Sequence, residues 1–256
     1  MGGKYRVPKS SQESSDKTYL LLVGASSAIG CEVIRHVSDE NVVVLAHYRS
    51  GLDRLMSVQE KIPSQMIPIP ADLSSEEGVE MLVKSVEEHC DAPQKIVFLA
   101  APALVMTRFK ELTWQDFQSQ LDIQLAASVR LLGRFLPIMA RARYGRIVFV
   151  LSSCTHGRPP SAMAHYVSAK YAALGLMRSL AAEYADKQIC INAIAPSMVE
   201  TPFLSQVPPK LVELTAQAHP LKRNALPTDV APVVRFLLSD EAAYITGANI
   251  PVTGGG

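Results

Sequence analysis

Three things are scarce in this 256-residue chain: cysteine, aromatic side chains and any excess of one charge. The four cysteines (Cys31, Cys90, Cys154, Cys190) are scattered and lack the paired spacing of a disulfide framework or a zinc site. Buried thiols in a reducing compartment are therefore expected. Cys154 follows two serines of interest, but nothing in the sequence lowers its pKa, so it is not read as a reactive thiol. Basic and acidic residues number 25 and 24, a formal net charge of +1, which removes the electrostatic case for nucleic acid or an anionic membrane as partner. No uninterrupted apolar run is long enough to span a bilayer. Met1 to Lys17 is polar and basic without an apolar signal core, and the six histidines show no ligand spacing for a metal. The expectation is a cytoplasmic protein without a metal, with residues 1–17 a flexible tail and 18–256 one folded domain.

What is present points to an α/β enzyme. Hydrophobic residues make up 48% and charged residues 19%, a balance that supports a sizeable core. Apolar runs at 18–23, 42–46, 66–70, 96–99, 147–151, 189–194 and 248–252 read as strands. Helical stretches fall between them at 29–37, 52–61, from Ser74 onward, 112 to about 131, from Tyr166 to Tyr184, and 228–238. Ser74 with Glu77, and Thr113 with Asp116, carry the spacing of helix N-terminal caps. Alternating strand and helix predicts a doubly wound, Rossmann-type parallel sheet with helices on both faces, in a single domain.

Tyr166 and Lys170 stand four residues apart in His165-Tyr166-Val167-Ser168-Ala169-Lys170, so both side chains share one helical face. An ammonium beside a phenol favours the phenolate and lowers its pKa, which suits a general acid/base. Ser152 and Ser153 close the apolar run ending at Leu151, where a hydroxyl can hold a carbonyl oxygen. Gly24-Ala25-Ser26-Ser27-Ala28-Ile29-Gly30 joins the first strand to the first helix. Backbone N–H groups and the positive helix end there suit a phosphate, Gly24 permits the tight turn, and Gly30 allows close helix–strand packing. The second strand leads into His47-Tyr48-Arg49-Ser50, without the carboxylate that would bind a ribose hydroxyl. Arg49 can instead meet a 2′-phosphate, which favours NADP(H) over NAD(H). Asp72 can accept from an adenine amino group, or simply serve the turn before the next helix.

Taken in order, these motifs resemble the short-chain dehydrogenase/reductase family, with a general likeness to its 3-oxoacyl-(acyl-carrier-protein) reductases. The resemblance covers Leu20 to Gly255: the glycine turn, Ala71-Asp72-Leu73, Ser153 thirteen residues before Tyr166, Tyr166-x-x-x-Lys170, Asn192-Ala193-Ile194-Ala195-Pro196 with Thr201-Pro202, and Tyr244-Ile245-Thr246-Gly247-Ala248 running into Val252-Thr253-Gly254-Gly255. It implies that Tyr166 protonates a carbonyl oxygen as hydride arrives, that Lys170 binds the nicotinamide ribose and lowers the tyrosine pKa, and that Ser153 holds the substrate oxygen. It also implies cofactor contacts at Gly24, Ser26, Ser27, Ile29, Gly30, Tyr48, Arg49, Asp72, Leu73, Ala100, Pro196, Val199 and Thr201. The chain departs from the family at Leu99-Ala100-Ala101-Pro102, Ala28, Ser197, and Gln124, where the family has a catalytic Asn that holds a relay water. These departures keep open a second reading, a catalytically weak cofactor-binding partner or sensor. The apolar stretch from Met198 to His219 reads as a lid over an apolar or acyl substrate. Arg134, Arg141, Arg143 and Arg146 are a candidate contact for an acyl-carrier protein, with a solvated helix end as the plainer reading. The resemblance further implies a homotetramer or homodimer.

Overall fold

In a computed structural model that describes residues 17–256, the run Thr18-Tyr19-Leu20-Leu21-Leu22-Val23 forms β1 (Thr18–Val23) near the centre of a seven-stranded parallel sheet. The expected tail, apart from Lys17, lies outside the described residues. The other strands are β2 (Val42–Tyr48), β3 (Gln65–Pro70), β4 (Lys95–Phe98), β5 (Gly145–Val150), β6 (Ile189–Pro196) and β7 (Asn249–Val252), in the order β3-β2-β1-β4-β5-β6-β7. The chain winds outward from β1 to β3, then returns to lay β4 against the other side of β1. That reversal makes the carboxyl ends of β1 and β4 the crevice where a ligand binds in such sheets.

Helices α1 (Ala28–Val37), α2 (Leu52–Gln59) and α8 (Pro227–Leu237) cover one face. There Leu20, Leu22, Val44, Ala46, Val97 and Val148 meet Val33, Ile34, Leu55, Val230 and Val234. Helices α3 (Glu76–Glu87), α5 (Ala127–Ala142) and α6 (Ala164–Tyr184) cover the other, where the alternate residues Leu21, Val23, Val43, Leu45, Ile96 and Phe98 meet Leu82, Leu131, Phe135 and Met177. The period of two sends neighbours to opposite cores, and burial on both faces explains the continuous apolar runs.

Several expectations need correction. The helix expected from 112 to about 131 continues much further. α4 (Trp114–Leu121) passes through a π-turn at Asp122–Ala126 directly into α5. By length and composition the combined helix Trp114–Ala142 reaches membrane-spanning size, but Leu131, Leu132, Phe135, Leu136 and Met139 pack it into the sheet core. The cap of α3 is Ser75, not Ser74: its hydroxyl accepts from Gly78 N–H at 3.1 Å, while Ser74 is bound to Asp72. The Thr113–Asp116 capping box forms as expected. The stretch 198–219 contains a helix of its own, α7 (Pro209–Ala218), begun by a proline at its first position.

Candidate active site

The glycine turn follows β1 directly. Gly24 has φ of 93°, a left-handed backbone that favours glycine, and a Cβ there would stand 2.8 Å from Ala100 N. The turn and the segment after β4 therefore touch backbone to backbone. A Cβ on Gly30 would meet Ala25 O at 2.5 Å, so α1 approaches the turn as closely as its chain allows. Ser27 caps α1, its hydroxyl accepting from Gly30 N–H at 3.0 Å and donating to Gly24 O at 2.9 Å. Among the described residues, the first-turn N–H groups of Ala28 and Ile29 have no protein acceptor, and no carboxylate stands in that turn. This donor set fits a pyrophosphate.

The neighbouring turns are tied to this one. Ser26 donates to Ser50 O at 2.7 Å. His47, buried at the end of β2, accepts Gly24 N–H at Nδ1 (3.1 Å) and reaches Ala71 O through Nε2 (3.2 Å). Burial lowers its pKa to about 4, which keeps the ring neutral. Tyr48 is half-buried, Arg49 is exposed, and Leu73 is buried beneath α3. Asp72 acts as a turn residue: Oδ1 accepts from Ser74 N–H at 3.0 Å and from its hydroxyl at 2.8 Å, and these bonds, more than nearby Arg49, lower its pKa.

At the carboxyl ends of β4 and β5, Tyr166 and Lys170 lie on the buried face of α6. Lys170 Nζ donates to Val150 O at 2.9 Å and stands 5.5 Å from the Tyr166 ring centroid. The expected lowering of the tyrosine pKa is reversed. Burial pushes the phenol above its ordinary range, and the Ser152 hydroxyl opposes the rise. Burial also lowers Lys170 to about 8. Desolvation is the largest cause because Leu104, Met163, Val207 and Phe203 pack around the phenol, the Phe203 ring centroid lying 6.4 Å away. Ser152, which also accepts Cys154 N–H at 3.3 Å, is the hydroxyl facing the phenol, whereas Ser153 is the half-buried next residue. The strand-end pattern offers both hydroxyls, and the thirteen-residue spacing to Tyr166 is what singles out Ser153. Cys154 is buried with its pKa raised by desolvation, so its thiol stays protonated.

Gln124 sits on the π-turn, a feature that recurs at functional sites. Its Nε2 donates to Gln120 Oε1 at 2.6 Å, and its buried Oε1 has no partner among the described residues. A cavity of about 10 Å³ lies among Gln124, Ser128, Ala100, Val150 and Lys170, near the lower limit for one water. On the opposite side, β6 ends at Pro196, Ser197 N–H is held by Val252 O at 3.1 Å, and buried Val199 pairs with Ala225. Thr201 donates to Val199 O at 3.3 Å. The four arginines do not form one open patch. Arg146 is buried and paired with Asp240 at 2.9 Å, Arg134 pairs with Glu87, and Arg143 donates to Asp186 O at 3.1 Å.

A family model described as enoyl-(acyl carrier protein) reductase matches residues 24–256. A 3-oxoacyl-(acyl-carrier-protein) reductase from Staphylococcus epidermidis is 30% identical over 240 residues, covering 92% of this chain and 97% of the relative. Its counterpart from Thermotoga maritima is 29% identical over the same length, covering 92% and 96%. Among solved structures, levodione reductase superposes with a TM-score of 0.86 at 28% identity, over 93% of this chain and 96% of that one.

Proposed function

The chain belongs to the short-chain dehydrogenase/reductase family of NAD(P)-dependent enzymes, and from that premise we propose that it is an active carbonyl reductase acting through Tyr166 and Lys170. One observation carries the reading. The glycine turn, the Tyr166–Lys170 face and the apolar cover of Phe203 and Val207 converge on the carboxyl ends of β1, β4 and β5, with Ala100 joining the turn to the Lys170 cavity. Bound nicotinamide supplies the hydride.

The protein's part is orientation and proton transfer. The N-terminus of α1, with Gly24, Ser26, Ser27, Ile29 and Gly30, holds the pyrophosphate, while Pro196, Val199 and Thr201 flank the nicotinamide. Tyr48, Asp72 and Leu73 line the adenosine side, and Ala100 passes the ribose. Lys170, fixed by Val150 O, binds the ribose and stabilises negative charge on the phenol. Tyr166 gives its proton to the carbonyl oxygen. A phenol whose pKa is raised by burial holds that proton firmly until a developing alkoxide takes it. The resemblance assigns the substrate oxygen to Ser153, while Ser152 stands against the phenol. Alanine at each, tested separately, decides between them: a larger loss at Ser153 supports the assignment, and a larger loss at Ser152 moves it.

Arg49, at the end of β2 where the sequence carries no carboxylate, favours NADPH over NADH. Arg49→Ala should weaken NADPH by about tenfold and leave NADH unchanged, as expected for a lost charged contact. Equal effects would remove Arg49 from cofactor choice. The apolar lid and the relatives' names support a 3-oxoacyl thioester as substrate. NADPH oxidation with a series of 3-oxoacyl thioesters and small ketones tests this, and turnover confined to small ketones would refute the acyl assignment. We also propose a dimer or tetramer, supported by the exposed Phe109 and Trp114 at the head of the long helix. Light scattering showing a monomer would contradict it. A cofactor-binding protein with little turnover is the second reading, favoured by the Gln120–Gln124 lock. NADPH binding without oxidation of any carbonyl would establish it.

A further inference from the structure

His47 lies between β1 and β3, opposite Val23 and Ile69, and is 2% exposed. Its side chain takes Gly24 N–H at Nδ1 and donates from Nε2 to Ala71 O, while its carbonyl takes Ala25 N–H at 2.8 Å. One residue thus binds two turns on the same side of the crevice: the start of the glycine turn and the turn that carries Asp72. Only the neutral ring protonated at Nε2 makes both side-chain bonds, since a second ring N–H would face the N–H of Gly24. Gly24 has little freedom of its own, pinned at φ of 93° against Ala100. Loss of the ring would release the first amide of the turn and the Ala71 carbonyl together.

We propose that His47 is a positioning residue for dinucleotide binding, a brace that sets the spacing between the glycine turn and the Ala71–Asp72 turn. The inference rests on the reading that these two turns hold the adenosine diphosphate part of the cofactor. It also separates His47 from the reacting groups, which sit at the ends of β4 and β5.

The test uses the full chain, wild-type and with His47→Leu or His47→Gln. NADPH and adenosine 2′,5′-bisphosphate, a fragment lacking the nicotinamide, are titrated against each, and KM and kcat are measured with NADPH. His47→Leu should raise the dissociation constants of both ligands and the KM for NADPH by about tenfold, the scale of one lost buried hydrogen bond, with kcat at saturating NADPH nearly unchanged. His47→Gln, which keeps a donor and an acceptor, should recover much of the loss. If the leucine variant does not fold, binding by the glutamine variant decides: affinity between wild-type and a tenfold loss supports the brace, and a fall in kcat with unchanged KM overturns it. Unchanged affinity in a folded leucine variant overturns it as well. Failure of the wild-type protein to bind either ligand removes the underlying reading and the inference with it.

Discussion

The two halves of the crevice treat their buried polar side chains in opposite ways. Beside the glycine turn they are paired: His47 at both ring nitrogens, Ser26 with Ser50 O, and Ser27 with Gly24 O and Gly30 N–H. Beside Tyr166 the pairing is incomplete. Gln124 Oε1 has no partner among the described residues, Lys170 uses one acceptor, and burial opposes charge on both Lys170 and Tyr166. A paired buried network holds a fixed shape, whereas an unpaired buried group is costly and gains from any ligand or charge that completes it. The first half thus reads as a rigid cradle and the second as a place where charge develops.

The largest effect is expected at Lys170. Lys170→Met should cut turnover by about 10²- to 10⁴-fold, the range of a lost acid/base partner, and raise the KM for NADPH. Steady-state kinetics check this, and a loss under threefold would take Lys170 out of the mechanism.

Acid should attack the other half. The folded pKa of His47 is about 4 against an ordinary value of 6.5, because burial disfavours the charged ring while the Ala71 carbonyl and, less, Asp72 favour it. A lowered histidine pKa means the unfolded chain binds the proton first. Its contribution is therefore complete above about pH 6.5 and lost as pH falls toward 4, a change of about 3 kcal/mol. Chemical denaturation between pH 7 and pH 4 should show this slope in the wild-type protein and a shallower one in His47→Gln.

A smaller effect should separate fold from function at Gln124. Gln124→Leu removes the unpartnered carbonyl but strands Gln120 Oε1, so stability should stay within about 1 kcal/mol of wild-type. Turnover should fall about tenfold if the carbonyl helps move protons near Lys170. Thermal melts and kinetics on the same preparation compare the two.

Much of this was legible in local pattern. The strand–helix alternation, the Gly24–Gly30 turn and the shared face of Tyr166 and Lys170 depend on residues close in sequence. Distant contacts were not. His47 meets Gly24 and Ala71 across 23 and 24 residues, so a strand-end histidine reads as any other. The direction of the Tyr166 pKa depends on desolvation to which Phe203 and Val207 contribute, far along the chain, while the Tyr–Lys spacing reports only the nearby charge. The π-turn that places Gln124 inward, the helix α7 within the lid and the turn that faces Ser152 to the phenol follow from packing rather than local propensity.

Tyr166→Phe decides whether Tyr166 is the proton donor in an intact cofactor site. NADPH binding and carbonyl-dependent NADPH oxidation are measured on the same protein. The expected result is wild-type NADPH affinity with turnover reduced by about 10³-fold, within the range for a lost general acid. A variant that binds NADPH and retains full turnover would contradict it.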